Sequence, residues 1–246
     1  MMVCEPLSHL SDYYSPAMRP DSLPTEHHLA VTRTARYFTL GDPATAGHVW
    51  FAIHGYGQLA ATFLTHLATL NVPSRLIVAP EALSRFYLSE GKGPPGASWM
   101  TKEDREHEIQ DYVSFLDQVS AEIRGRCPAG ARFHGFGFSQ GVATLGRWFD
   151  RGTTRLDALC LWAGTLPQEM ALAQRHPALA GRSVALVLGQ RDKYLGQDWL
   201  DKESRRVAAA GASEVRRFSF EGGHRLDRTV LAQVAGFLEA PSDAVP

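Results

Sequence analysis

A mostly parallel central sheet with helices on both faces is the fold class this sequence predicts, and two observations carry the prediction. Short, densely apolar runs of strand length alternate along the chain with longer segments of helical spacing. Alternation of that kind gives parallel strands joined by crossover helices, a sheet covered on both sides. A glycine-flanked serine, Gly137-Phe138-Ser139-Gln140-Gly141, stands between one such run and a helical segment, as a sharp strand-to-helix turn requires.

The elements follow in order. Residues 1–25 carry Pro6, Pro16, Pro20 and Pro24 among Ser and Asp and read as an irregular arm, leaving 26–246 as a single domain. Leu29 to Phe38 alternates loosely and suits early edge strands. His48 to Ile53 is a buried strand, followed by helical spacing over 59–70, and Arg75 to Ala79 is the next strand. A helix is expected over 101–125, opened by Thr101 with Asp104 three positions on, close to a capping box. Phe133 to Phe138 is a strand and Gln140 opens a helix; Leu156 to Trp162 is a strand with a short helix near 167–175. Ser183 to Leu188 and Glu214 to Phe220 complete the strands, with helices at 197–210 and 227–238. Between the strand at 76–79 and the helix at 101 lies a long insertion, Glu81 to Met100, that holds Phe86, Tyr87 and Trp99 and a run rich in Gly and Pro. A loop of that length in a compact domain is a substrate-pocket wall or lid, or a packed structural loop.

The bulk numbers exclude several classes. Twenty-five basic and 26 acidic residues leave a formal charge of −1, so no basic stripe is available for a nucleic acid or a membrane surface. No apolar run reaches membrane-spanning length, and the first residues lack the basic and apolar segments of a secretory signal. The three cysteines, Cys4, Cys127 and Cys160, are odd in number and far apart, which argues against a disulfide framework or zinc site and for a reducing, cytoplasmic setting. The polar group Asp104, Glu106, His107 and Glu108 reads as a solvated helix face rather than a metal site. No cofactor motif is present: the glycine pairs lack a P-loop lysine, and no dinucleotide fingerprint follows a first strand.

The chemistry centres on Ser139. A serine hydroxyl needs a base to take its proton, and the base needs an acid to fix its tautomer and stabilise its charge. In a parallel sheet these groups belong on loops at the carboxyl ends of strands. His224 follows the last strand after Gly222-Gly223, whereas His176 falls at the end of a polar helix and reads as solvent-facing. Asp192 follows the penultimate strand in Leu188-Gly189-Gln190-Arg191-Asp192. Ser139, Asp192 and His224 then stand in the chain order of an α/β-hydrolase triad. The oxyanion of acyl transfer needs preorganised N–H donors. Gln140, the residue after the serine, supplies one, and the glycine-rich loop His54-Gly55-Tyr56-Gly57-Gln58 supplies the other through the Tyr56 amide. His54 precedes the serine and is read as a brace for that loop. Phe86, Tyr87, Trp99, Trp162 and Leu166 are the candidate substrate-binding residues.

With these residues assembled, the chain resembles the phospholipase/carboxylesterase group of α/β-hydrolases, which includes acyl-protein thioesterases and small bacterial carboxylesterases. The likeness covers roughly residues 48–240 and rests on His54-Gly55-Tyr56-Gly57, on Gly137-Phe138-Ser139-Gln140-Gly141, on Asp192 and on Gly223-His224. It implies an α/β-hydrolase fold, a Ser139–His224–Asp192 triad, and an oxyanion hole from the Tyr56 and Gln140 amides. The chain departs from the group at Leu188-Gly189, where a histidine often precedes the glycine, and at Lys193-Tyr194-Leu195-Gly196, where a proline is usual. It departs again at Trp99-Met100, where many relatives have Trp-Phe-Asp. The expected activity is hydrolysis of a small carboxylic ester through an acyl-enzyme. A thioesterase or lysophospholipase on the same triad is the alternative, and a ligand receptor without activity a remote one. The number of copies in the assembly is left open.

Overall fold

The computed structural model of the protein describes residues 25–240 except 90, 171, 173–175, 177–178 and 197. The expected arm over 1–25 therefore lies, but for Thr25, outside the described residues. The chain divides into two units at Thr34–Ala35, and every helix and strand of the described residues lies in the second.

Seven strands form the main sheet: β1 (Tyr37–Leu40), β2 (His48–Ile53), β3 (Arg75–Pro80), β6 (Arg132–Phe138), β7 (Ala158–Trp162), β8 (Ser183–Gly189) and β9 (Glu214–Phe220). Their order is β1-β3-β2-β6-β7-β8-β9. Only the β1–β3 pair is antiparallel. Two further strands, β4 (Ser84–Ser89) and β5 (Lys92–Ser98), make a separate antiparallel hairpin. The helices are α1 (Ala60–His66), α2 (Arg105–Arg124), α3 (Gln140–Arg151), α4 (Trp199–Ala209) and α5 (Arg228–Glu239).

The central strands β2, β6, β7 and β8 are buried along nearly their whole length, which explains why they read as dense apolar runs. Adjacent residues of β2 show what covers each face, because successive side chains point to opposite sides. Trp50 donates its indole N–H to Glu239 of α5 at 2.7 Å, while Phe51 meets the Trp148 ring of α3 edge-on at 5.3 Å. Trp148 in turn donates to Asp117 of α2 at 2.8 Å, and Asp117 also accepts from Thr153 and Thr154 after α3. That carboxylate is half-buried, yet the hydrogen bonds outweigh the burial and hold it below the usual carboxylate range.

Four local expectations are corrected. Leu29 to Arg36 forms no strand, since pairing with β3 begins only at Tyr37, opposite Pro80. The 81–100 insertion is no irregular loop; it folds on itself as the β4–β5 hairpin, with Gly91 at φ 72° in its turn. The helix expected over 101–125 starts at Arg105, with Asp104 in a left-handed conformation and no side-chain cap. Thr101 is instead tied to Glu108, which accepts its main-chain N–H at 2.6 Å. The segment near 167–175 is, where described, a single 3₁₀ turn at Gln168–Met170.

At the amino end of the sheet, Glu239 bridges Arg75 through two hydrogen bonds of 2.6 Å. Beside it the imidazoles of His48 and His134 share a 3.0 Å hydrogen bond, and His134 stacks at a tilt on Trp50. Burial pushes His134 down to about 3, so it is neutral in the folded protein. The unfolded chain binds a proton there near pH 6.5 and the folded one does not. Acidification therefore favours unfolding through the interval from about 6.5 down to about 3. Chemical denaturation at pH 7.0, 6.0 and 5.0 should show stability falling on the acid side. In His134→Gln the slope below pH 6 should be shallower by up to about 1.4 kcal/mol per pH unit. An unchanged slope would mean that the imidazole accepts its proton without cost.

Candidate active site

Ser139 lies between the last residue of β6 and the first of α3, at φ 54° and ψ −119°, a conformation that residues with a side chain rarely adopt. Close packing enforces it. A Cβ on Gly137 would stand 2.7 Å from the Gly141 carbonyl oxygen, and one on Gly141 would stand 2.1 Å from the Ile53 carbonyl oxygen. The glycines at either side of the serine thus allow β6, α3 and the end of β2 to meet. From the neighbouring strand, the Trp162 carbonyl accepts the Ser139 N–H at 2.9 Å.

His224 comes from the loop after β9. Its Nε2 is 2.9 Å from Ser139 Oγ and its Nδ1 2.7 Å from Asp192 Oδ2. A carboxylate only accepts, so Nδ1 carries the proton and Nε2 offers its lone pair to the serine hydroxyl. The Asp192 side chain has no exposed surface, and its other oxygen accepts the N–H groups of Tyr194 at 2.8 Å and Leu195 at 3.1 Å. The carboxylate is thereby fixed in position. Gly189 lets the two loops approach, since a Cβ there would lie 2.5 Å from the carbonyl oxygens of both Gly222 and Gly223. This accounts for the glycine at 189; the departure lies at Leu188. Phe138 and Tyr194 enclose the imidazole, with ring centroids 5.1 and 4.6 Å away. In the sequence Tyr194 stands out only within the departure at Lys193-Tyr194-Leu195-Gly196, two residues beyond Asp192.

The loop after β2 closes against the serine, where a Cβ on Gly55 would be 3.2 Å from Ser139 Cβ. Gly55 N–H donates to the Gln58 side chain at 2.8 Å. His54 is buried; its Nε2 accepts the Ala82 N–H at 3.1 Å, so Nδ1 donates to the Gly55 carbonyl at 2.8 Å. Burial holds it down at about 4, and it is a neutral brace. Tyr56 stands at the bend of this loop. Gln140 is the first residue of α3, so its N–H has no partner inside the helix.

The candidate substrate-binding residues separate into two groups. Phe86 is half-buried, with its ring 5.2 Å from that of Tyr56, and Leu88 lies over Gly57 on the same face of β4. Tyr87 points to the other face of the hairpin and is exposed. Trp99, Trp162 and Leu166 are buried. The Trp99 indole donates to the His54 carbonyl at 2.9 Å, that of Trp162 to the Arg225 carbonyl at 3.0 Å, and Leu166 N–H to Glu203 at 2.9 Å. These three hold the loops from behind. His176, expected in solvent, is half-buried and pairs with Asp150 at 3.0 Å.

Among the described residues of the second unit, His48, His134 and Glu239 have the spacing of a metal-ligand set. The Glu239 carboxylate is already taken by Arg75 and Trp50, and His48 Nδ1 and His134 Nε2 are spent on each other. Arg75 and Arg132 add positive charge close by, which disfavours a cation there. No helix of the described residues is long and apolar enough to cross a membrane.

The segment just after β7 packs on the sharp turn, or elbow, that carries Ser139. A Cβ on Gly164 would lie 2.3 Å from the Ser139 carbonyl oxygen. Gly164→Ala should lower the denaturation midpoint by an amount equivalent to about 1–3 kcal/mol, as overpacking in a tight core does. A midpoint equal to that of the wild type would show that the elbow yields freely.

No protein-family model matches the sequence, and no curated protein matches it. Solved structures do match. The esterase PE8 structure superposes with a TM-score of 0.65 at 20% identity, over 84% of this chain and 98% of that one. Acyl-protein thioesterase 2 of Zea mays gives 0.65 at 20% identity, over 84% and 99%. A carboxylesterase from Mesorhizobium loti gives 0.65 at 18% identity, over 84% and 95%. The strand order, the crossover helices and this likeness to carboxylesterases and an acyl-protein thioesterase agree: the chain has the α/β-hydrolase fold.

Proposed function

We propose that the protein is a serine hydrolase of small carboxylic esters that works through an acyl-enzyme on Ser139. The observation that carries this reading is the unbroken hydrogen-bond chain from Ser139 Oγ through His224 to the buried Asp192 carboxylate. His224 Nε2 takes the hydroxyl proton as Oγ attacks the ester carbonyl. Asp192 holds the tautomer and stabilises the imidazolium. The oxyanion is received by the main-chain N–H groups of Tyr56 and Gln140, the latter aided by the positive end of α3. His224 then passes its proton to the leaving alcohol, and afterwards activates water to release the acid. No cofactor takes part.

The aromatic and apolar side chains beside the serine suit an apolar acyl or alcohol portion. Tyr56 comes from the loop after β2 and Tyr194 from the loop after β8, on either side of Ser139 after β6. Phe86 and Leu88 extend the Tyr56 side. The structural likeness to a thioesterase makes thioesters the second substrate class to try. Cys127 and Cys160 are free thiols, in keeping with a reducing, cytoplasmic setting.

A fluorophosphonate probe and short p-nitrophenyl esters test the reading. Wild type should be labelled and should turn over; Ser139→Ala should do neither. Asp192→Asn should lower kcat by about 10³–10⁴, since it leaves His224 in the wrong tautomer. Labelling that persists unchanged in Ser139→Ala would place the nucleophile elsewhere. A chain-length series of oxygen esters beside matched thioesters then separates the two substrate classes.

A further inference from the structure

The two proposed oxyanion donors sit on segments that the sheet itself does not hold together. The β2–β6 ladder ends at the pair Ile53–Gly137, and Tyr56 and Gln140 lie three residues beyond it on each side. Their spacing depends on something else, and a group of hydrogen bonds at the end of β5 spans the gap. Trp99 N–H donates to Gln140 Oε1 at 3.3 Å, and the Trp99 indole donates to the His54 carbonyl at 2.9 Å. Gln140 Nε2 donates to Ser98 Oγ at 3.2 Å and to the Met100 carbonyl at 3.1 Å. One residue earlier, the Ala97 carbonyl accepts the Gly57 N–H at 2.9 Å. The stretch 97–100 therefore grips the Tyr56 loop with one set of bonds and the first residue of α3 with another.

Trp99 makes a bond of each set, and its ring is not free to turn. It is buried, tilted on His54 at 5.1 Å and edge-on to Tyr112 at 6.0 Å. We propose that Trp99 is a positioning residue, fixing the distance between the Tyr56 and Gln140 amides and so coupling the β4–β5 hairpin to oxyanion stabilisation. The inference rests on the acyl-transfer reading of Ser139. Its consequence is selective. A donor displaced from the oxyanion weakens the transition state and leaves ground-state substrate binding almost untouched.

Trp99→Phe keeps an aromatic ring and removes the indole N–H. In that variant kcat for a short p-nitrophenyl ester should fall about 10-fold or more, short of the 10²–10³ that follows complete loss of a donor. KM should stay within about twofold of the wild-type value. A trifluoromethyl ketone, which forms an oxyanion on the serine, should lose affinity in parallel with kcat, while the matched methyl ketone should not. Gln140→Met cuts the tie at its other end and should reproduce the same split; it also carries the test should Trp99→Phe not fold. The double variant should cost less than the product of the two, since both break one link. Unchanged kcat in both single variants, or a higher KM at constant kcat, overturns the inference while leaving the nucleophile in place. A wild type that neither turns over nor reacts with the fluorophosphonate overturns the acyl-transfer reading, and this one with it.

Discussion

Ser139 is held at a positive φ in the few ångströms between the end of β6 and the start of α3. Such a conformation costs on the order of 1–3 kcal/mol and persists only where the surroundings over-determine it. The surroundings do so here on three sides. The Ile53 carbonyl lies against Gly141, the Gly164 backbone against the Ser139 carbonyl, and the Trp162 carbonyl receives the Ser139 N–H. The last turn of three neighbouring strands is thus committed to holding one hydroxyl above the sheet. The order β2-β6-β7-β8-β9 then decides which loops can reach that hydroxyl.

The remaining loops are fixed by buried hydrogen bonds more than by their own propensities. Asp192 has no exposed side-chain surface, and its oxygens are shared between His224 and two main-chain N–H groups. His54 is kept neutral by burial and ties the loop that carries Tyr56, through the Gly55 carbonyl, to the Ala82 N–H beyond β3. Both arrangements raise the cost of moving a loop, because a buried polar group that loses its partner is not compensated by water. A site assembled from loops gains in this way the rigidity of the sheet beneath it.

The hairpin has a place in the same scheme. Its outer residues, Tyr87 and Leu88, face solvent, while its last residues are buried and bonded to His54 and Gln140. One insertion thus sets Phe86 against Tyr56 and, at its root, bonds both segments of the proposed oxyanion hole.

The sequence by itself determined the alternation of strands and helices, because each central strand is buried on both faces and must be written in apolar residues. It also determined the elbow, since a turn this tight admits only glycine at Gly137 and Gly141, and the order serine, acid, histidine along the chain. The hairpin was not legible: β5 carries Gly and Pro in place of an apolar alternation, and its two strands pair with each other outside the main sheet. The late start of α2 and the half-burial of His176 were equally hidden, because Glu108 and Asp150 reach them from other turns of the chain. Tyr194, and the duties of Trp99, Trp162 and Leu166, depend on neighbours tens of residues distant. Local pattern records what a segment prefers; which polar atom meets which across the sheet is decided only when the strands are stacked in their final order.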